Sequence, residues 1–273
     1  MKIPDFSDRP LAELFGLSGR VGMVTGGGRG IGRAYSLRLA EAGCAVAVAD
    51  LDLDSAVAVR DEIATAGGEA TAVKVDVSEE DSFASAFDQV EGALGVVDAL
   101  VNNAGIYPMD FVFDTTVEQW DRVMNVNLRS SFIGSKLAAE RMIAADKSGV
   151  LLNVSSTAGV RLVHGQGLHY PSAKAGVAML VQTLGVELGK YGIRSVGIAP
   201  GLSVTPGVEE ELANAGGDLT EEFAGAIETA PLGRLIVPDD LARVAVFLLS
   251  DLAAMITSQV VVVDGARMAG RVP

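Results

Sequence analysis

Val21-Gly22-Met23-Val24-Thr25-Gly26-Gly27-Gly28-Arg29-Gly30-Ile31-Gly32 is the stretch on which the fold turns. An apolar run, Val21–Thr25, passes through glycines straight into residues of helical periodicity, Ile31–Ala42. Glycines there permit a tight turn and let backbone N–H groups approach a pyrophosphate at the positive helix N-terminus. In a chain with 32 glycines such a turn alone says little. Its surroundings say more, because the next apolar run ends in Asp50, 24 residues beyond Gly26. A carboxylate at that separation accepts hydrogen bonds from the adenosine ribose hydroxyls and repels a 2′-phosphate, which favours NAD over NADP. The competing reading of Asp50 is a helix cap or turn residue before Leu51-Asp52, and Arg29 and Arg33 are the nearby cations that could hold a phosphate.

Outward from this unit the pattern repeats. Apolar, β-branched runs occur at Ala45–Ala49, Thr71–Asp76, Ala99–Asn102, Val150–Val154, Arg194–Ile198 and Val260–Val263. Helix-forming stretches separate them at Asp54–Ala66, Glu80–Leu94, Val117–Ala144, Ser172–Lys190 and Asp239–Leu249. The runs are continuously apolar rather than alternating, as strands covered on both faces are. Alternating β and α elements specify a parallel sheet between helix layers, joined by right-handed crossovers. The expectation is an α/β, Rossmann-like, doubly wound three-layer fold with a seven-stranded parallel sheet, in a single domain over residues 1–273. Residues 1–16 precede the first strand with no assigned role. Leu202–Pro231 breaks the rhythm with prolines, glycines and the acidic cluster Glu209–Glu211, and reads as a lid or binding loop.

Composition narrows the function classes. Hydrophobic residues make up 49% of 273, enough for a sizeable core. The longest stretch free of Asp, Glu, Lys and Arg, Ser195–Val208, has 14 residues and two prolines. A membrane span needs about 18 to 20. Met1-Lys-Ile-Pro-Asp-Phe-Ser-Asp-Arg-Pro10 lacks the apolar core of a secretion signal. A net charge of −14 repels nucleic-acid phosphates and anionic lipid. The single cysteine, Cys44, reads as a small buried hydrophobe, and two histidines are too few for a convincing zinc site. The expectation is a soluble, cytoplasmic protein without metal, nucleic-acid or membrane partners.

Tyr170-Pro-Ser-Ala-Lys174 opens the fifth helical stretch, and a spacing of four sets both side chains on one face. With four tyrosines in the chain the pair is only suggestive by itself. Taken with Thr25-Gly-Gly-Gly-Arg-Gly-Ile-Gly32, Asp76-Val77, Asn102-Asn-Ala-Gly105, Asn127, Ser155-Ser156 and Pro200-Gly201, in that order, it makes the chain resemble the short-chain dehydrogenase/reductase superfamily. The resemblance runs from Leu17 to about Met268, in the branch of single-domain enzymes.

The resemblance implies a residue set. Tyr170 would exchange a proton with the substrate oxygen, its phenol made more acidic by the Lys174 ammonium, which would also hold the nicotinamide ribose. Ser156 would hydrogen-bond the substrate oxygen, and Asn127 would anchor a water linking Lys174 to solvent. Gly26, Arg29, Gly30 and Ile31 would line the pyrophosphate, with Asp50 at the ribose and Asp76 and Val77 at the adenine. Asn102, Ala104 and Gly105 would line the cofactor, with Asn103 either doing so or tying strands together. Pro200, Gly201 and Thr205 would close over the nicotinamide, placing Leu202–Pro231 at the mouth of the site. One departure stands out. Ser156 precedes Tyr170 by 14 residues where the family commonly has 13. Either Arg161–His169 holds an insertion or Ser155 is the neighbour, and Ser156 is preferred because it directly precedes Thr157-Ala158-Gly159.

The implied substrate pocket, Ile106, Tyr107, Pro108 and Ala158–Val163 with the lid, is apolar or small; Arg161 and His164 are its possible polar contacts, though each reads first as a loop surface residue. It lacks an arginine pair to fork a carboxylate. The expectation is NAD-dependent interconversion of a neutral secondary alcohol and a ketone, in a homotetramer built through Val117–Ala144 and Ser172–Lys190. The rivals are a 3-oxoacyl-thioester reductase, which Asp50 disfavours through its cofactor, a sugar-nucleotide epimerase, for which the chain is short, and a non-catalytic NAD-binding regulator.

Overall fold

A computed structural model describes residues 3–161, 167–205, 225, 227, 228 and 230–269. Seven parallel strands form one sheet: β1 (Val21–Thr25), β2 (Ala45–Asp50), β3 (Ala70–Lys74), β4 (Ala99–Asn102), β5 (Gly149–Val154), β6 (Ile193–Pro200) and β7 (Gln259–Val263). Their order is β3-β2-β1-β4-β5-β6-β7. The strands alternate their side chains between two separate cores. Val24, Val46 and Val48 face one with α2 (Gly30–Glu41), α3 (Leu53–Thr65) and the helix Pro238–Leu249. Met23, Ala47 and Ala49 face the other with α4 (Glu80–Leu94) and α6 (Ser130–Ala144). Burial on both faces is the reason β1, β2, β4 and β5 read as unbroken apolar runs. The fold is the doubly wound α/β sandwich the sequence specifies.

Strand order reverses between β1 and β4. The loops leaving their carboxyl ends diverge there and open a crevice, the position where such sheets bind ligands. β3 stops at Lys74, so Asp76, expected at the strand end, lies just past it on the crevice rim. Asp50 closes β2 instead, where its carbonyl accepts from Val75 N at 2.8 Å.

The expected helix Val117–Ala144 is one element with a wide turn inside it. α5 (Val117–Met124) passes into a π-helical turn, Asn125–Arg129, and then into α6. Hydroxyls sit on the carbonyls of this turn, Ser130 Oγ on Val126 O (2.6 Å) and Ser131 Oγ on Asn127 O (3.1 Å). π-turns cluster at functional positions, and this one carries Asn127. The fifth helical stretch also starts earlier than expected, at His169 rather than Ser172, as α8 (His169–Leu188) after the short α7 (Thr157–Val160).

Residues 1–16, left without a role by the sequence, contain α1 (Leu11–Phe15). It packs on the turn Asp251–Ala253, where Asp251 takes Arg20 at 2.7 Å and Arg9 at 3.5 Å. Among the described residues no helix is long and apolar enough to cross a membrane.

The helix Pro238–Leu249, α9, ends on a buried guanidinium. Arg194 in β6 donates to Leu248 O (2.8 Å), Ile256 O (3.1 Å) and Ser250 O (3.0 Å). Burial lowers its pKa to about 10, so the cation is retained at neutral pH against carbonyls at a negative helix end. Replacing Arg194 by leucine strands these carbonyls and is expected to cost about 3 kcal/mol. Urea unfolding followed by circular dichroism reads the loss.

Candidate active site

The crevice is a cleft of about 1060 Å³ that runs from the end of β2 to the start of α8. Its floor is the glycine turn. Gly26 holds φ +63° and its carbonyl, with that of Thr25, accepts from Asn103 Nδ2 at 3.3 and 2.9 Å. Thr25 Oγ1 in turn accepts from Asn103 N (3.0 Å) and Ala104 N (3.1 Å). These bonds stitch the β1 turn to the end of β4. α2 then begins at Gly30 with no side-chain cap, which leaves its first N–H groups for a ligand.

At one end, Asp50 is fixed by two backbone donors, Gly28 N at 2.9 Å and Asp52 N at 3.1 Å. Asp52, not Asp50, caps α3, accepting from Asp54 N at 3.1 Å. The carboxylate of Asp50 therefore stands at the cleft wall with lone pairs to spare. Asp76 and Val77 line the same rim, and Asp76 Oδ1 accepts from Ser78 N and Oγ at 3.0 and 2.6 Å.

At the other end α8 presents Tyr170, half-buried, and Lys174, buried, on one face. Lys174 Nζ donates to Val154 O at 2.8 Å and lies 5.7 Å from the centroid of the Tyr170 ring. Ser156 Oγ accepts from Ala158 N at 3.1 Å and draws the pKa of the Tyr170 phenol down, while Ser155 Oγ is spent on Lys174 O at 2.8 Å. That division selects Ser156 as the cleft hydroxyl. Asn127 Nδ2 donates to Ile106 O (2.8 Å) and Val123 O (3.0 Å), and its buried Oδ1 has no partner. A Cβ on Gly105 would stand 2.6 Å from that oxygen and 3.5 Å from Lys174 Nζ. Gly105 thus keeps a space open between the two groups. An elongated cleft with uncapped N–H groups in the middle, a fixed carboxylate at one end and an orphaned amide oxygen at the other fits a dinucleotide.

The family model described as "Enoyl-(Acyl carrier protein) reductase" matches residues 26–266. A short-chain dehydrogenase/reductase of Armillaria gallica is 39% identical over 90% of this chain and 95% of its own. The cyclohexanol dehydrogenase of an Acinetobacter species is 34% identical over 90% and 94%. The solved structure of a 7α-hydroxysteroid dehydrogenase with NADH and 7-oxo-glycochenodeoxycholic acid superposes with a TM-score of 0.87 at 33% identity, covering 93% of this chain and 96% of that one. The chain belongs to the short-chain dehydrogenase/reductase superfamily. It is an oxidoreductase of that superfamily.

Against the set of site residues expected of such a dehydrogenase, the cleft brings together Gly26, Arg29, Gly30, Ile31, Asp50, Asp76, Val77, Asn103, Ala104, Gly105, Asn127, Ser156, Tyr170, Lys174, Pro200, Gly201 and Thr205. Two expectations change, and a third residue, Arg161, takes the surface role already preferred for it. Asn102 is turned into the protein, its Nδ2 donating to Asn153 Oδ1 (2.9 Å), Ser135 Oγ (3.1 Å) and Ser131 O (3.3 Å), so it does not line the cleft. Arg33 reaches from α2 to Glu62 of α3, holding both carboxylate oxygens at 2.6 and 2.7 Å, and lies outside the cleft lining. Arg161 donates to Met268 O at 2.7 Å and lies outside the cleft lining. Leu162, Val163 and His164, and the expected lid from 206 to 224, lie outside the described residues.

The electrostatics of the pair also differ from the expected lowering of the phenol by Lys174. Burial raises the Tyr170 pKa above the ordinary phenol value, and the downward pull comes from Ser156. The Lys174 ammonium donates to the Val154 carbonyl, and its Nζ lies 5.7 Å from the centroid of the ring. Burial lowers Lys174 itself to about 8. Cys44, under the sheet, has its thiol pushed up to about 12 by burial, as an inert core residue would.

Sequence reasoning passed over several cleft residues. Thr25 was visible in the quoted motif, but its hydroxyl role needs β4 beside β1. Met109, Gly167 and Arg267 line the cleft from segments whose sequence carries no periodic signal, while Leu202 and Ser203 line it where the expected lid begins. Gly167 had one readable sign, since glycine tolerates its φ of +65°.

Proposed function

We propose that this protein is an NAD-dependent dehydrogenase that interconverts a neutral secondary alcohol and a ketone, with Tyr170 as general acid/base. The observation that carries the reading is the Ser156–Tyr170–Lys174 group lining one end of a cleft whose other end is the Asp50 carboxylate. Bound NAD supplies the acceptor for the hydride on the carbinol carbon. Tyr170 takes the hydroxyl proton as that hydride leaves, and returns it in ketone reduction. Ser156 holds the substrate oxygen against the phenol. Lys174, one turn on, stabilises the phenolate and, together with Asn127 Oδ1, brackets the space beside Gly105 through which a proton reaches solvent. The glycine turn and the α2 N-terminus seat the pyrophosphate, Asp76 and Val77 the adenine, and Pro200, Gly201 and Thr205 the nicotinamide end. Asn103, by its bonds to Thr25 and Gly26, shapes the floor.

Ile106, Tyr107, Pro108, Met109 and Ala158 make the substrate end mainly apolar, which suits a ring alcohol or an aryl-substituted one. A cyclohexanol dehydrogenase among the relatives is in keeping with that choice. We assign the enzyme to the cytoplasm as a homotetramer, the superfamily's common assembly.

Initial rates on cyclohexanol, cyclopentanol, a hydroxysteroid, acidic sugars and a 3-oxoacyl thioester, each with NAD(H) and NADP(H), test this. Higher kcat/KM on neutral alcohols with NAD is expected. Asp50→Ser should lower the NAD-to-NADP ratio of kcat/KM by roughly 10- to 100-fold, as one charge-assisted contact is lost and one repulsion relieved. A wild-type preference for NADP would overturn the cofactor assignment, and activity confined to acidic sugars or thioesters would overturn the substrate class.

A further inference from the structure

His169 stands immediately before Tyr170, is fully buried, and has no part in the chemistry above. Its Nδ1 accepts from the Tyr170 N–H at 3.0 Å, which puts the ring proton on Nε2. That Nε2 is buried without a hydrogen-bond partner. It faces Asp110 Oδ2 at 3.7 Å, a distance just beyond hydrogen-bond reach.

Asp110 ends the segment Tyr107–Met109, which lines the substrate end of the cleft. Other contacts already bring this segment onto the start of α8. Gly167 N donates to Asp110 O at 2.8 Å, and Tyr170 N donates to Gly167 O at 2.9 Å. A Cβ on Gly167 would come within 2.8 Å of Pro108 O, so the two backbones nearly touch. The Tyr107 ring meets the Tyr170 ring edge-on, centroids 6.1 Å apart. On the far side Gln119 Nε2 reaches the same Asp110 oxygen at 3.5 Å, connecting it to the first turn of α5.

A buried donor is rarely left unmade, and here the carboxylate of Asp110, 3.7 Å away, needs to move by less than about 1 Å to accept it. We infer that His169 is a positioning residue, whose Nε2–H latches Asp110 and so fixes the Tyr107–Met109 wall over the substrate beside Tyr170. The latch acts on the wall and not on the proton or the cofactor. Its loss falls on substrate affinity and leaves the chemical step. The inference rests on the dehydrogenase reading for its catalytic consequence, but the latch itself is observable without turnover.

Two measurements test it on the full-length protein. The chain has only two histidines, His164 and His169, so the imidazole signals of ¹⁵N-histidine-labelled protein can be assigned with His164→Gln. His169 is expected to show the Nε2–H form with a slowly exchanging proton that Asp110→Ala makes exchange faster and shifts. With cyclohexanol as the probe alcohol, His169→Leu and Asp110→Ala are each expected to raise KM about 5- to 10-fold. Their kcat should stay within about threefold and their NADH affinity within about twofold. The double variant should be no worse than the poorer single, as partners in one contact are. His169→Gln, whose amide can donate from nearly the same place, should recover most of the loss, which a merely structural role would not do. An imidazole signal indifferent to Asp110→Ala overturns the latch. So do additive effects, or a loss that falls on kcat and NADH binding instead of KM. If His169→Leu does not fold, Asp110→Ala on its partly exposed loop decides by the same readouts. Should no alcohol be turned over by the wild type, the dehydrogenase reading fails, and the imidazole signal alone still decides the latch.

Discussion

Tyr170→Phe is expected to lower kcat for alcohol oxidation by about 10³- to 10⁴-fold while leaving the Kd for NADH within about twofold. The substitution removes one oxygen and keeps the ring that packs edge-on against Tyr107. Only the acid/base group is lost, so binding and folding should be spared. The pH dependence follows from the same group. Oxidation needs the phenolate, so kcat/KM should rise with pH; ketone reduction needs the phenol and should fall. Burial raises the Tyr170 pKa and Ser156 lowers it; the proposed mechanism adds the Lys174 ammonium as the charge that supports the phenolate once it forms. Removing that charge with Lys174→Met should move the rising limb to higher pH by at least about one unit. Burial holds Lys174 near 8, so above that value the ammonium itself is lost, and the two groups titrate as a coupled pair. Steady-state rates between pH 6 and 10, with NADH fluorescence titrations alongside, read all of this. A Tyr170→Phe enzyme retaining a tenth of the wild-type kcat would remove Tyr170 from the chemistry.

How much of this was legible in the sequence depended on whether a residue's role is local. The strands were, because β1, β2, β4 and β5 are buried on both faces and wear that as unbroken apolar runs. Asp50 was readable through its distance from Gly26, and Tyr170 with Lys174 through helical spacing. Roles set by what lies across the sheet were not. Nothing near Asn102 announces that its amide turns toward Asn153 and Ser135, neighbours brought up by β5 and α6. Nothing near Arg33 gives Glu62, which α3 supplies. The π-turn at Asn125–Arg129 was hidden because a widened turn is compatible with the same residues as an α-helix. The upward shift of Tyr170 is a consequence of burial, and burial of an aromatic beside a loop cannot be counted from its neighbours in sequence.

Gly32→Ala should abolish measurable dinucleotide binding, raising the Kd for NADH at least about 100-fold, although it adds one methyl to a helix that alanine favours. At this position a Cβ would overlap the Gly26 carbonyl oxygen and stand 2.7 Å from Asn103 Nδ2. Neither neighbour is free to give way. The Gly26 carbonyl is the acceptor for Asn103 Nδ2, and the same amide holds Thr25 O at 2.9 Å. Relief therefore requires α2 to back away from the end of β1, carrying the N–H groups of its first turn off the pyrophosphate. The overpacking itself should cost about 2 kcal/mol of stability, seen as a lower urea midpoint. Gly92→Ala is the control for helix propensity. It lies in α4 with no neighbouring atom within 4 Å of an added Cβ. There the methyl should stabilise by about 0.5 to 1 kcal/mol and leave NADH binding unchanged. The opposite signs of one chemical change at two helical glycines separate close approach from backbone entropy. NADH binding by Gly32→Ala at wild-type affinity would show that the β1 turn does not seat the dinucleotide.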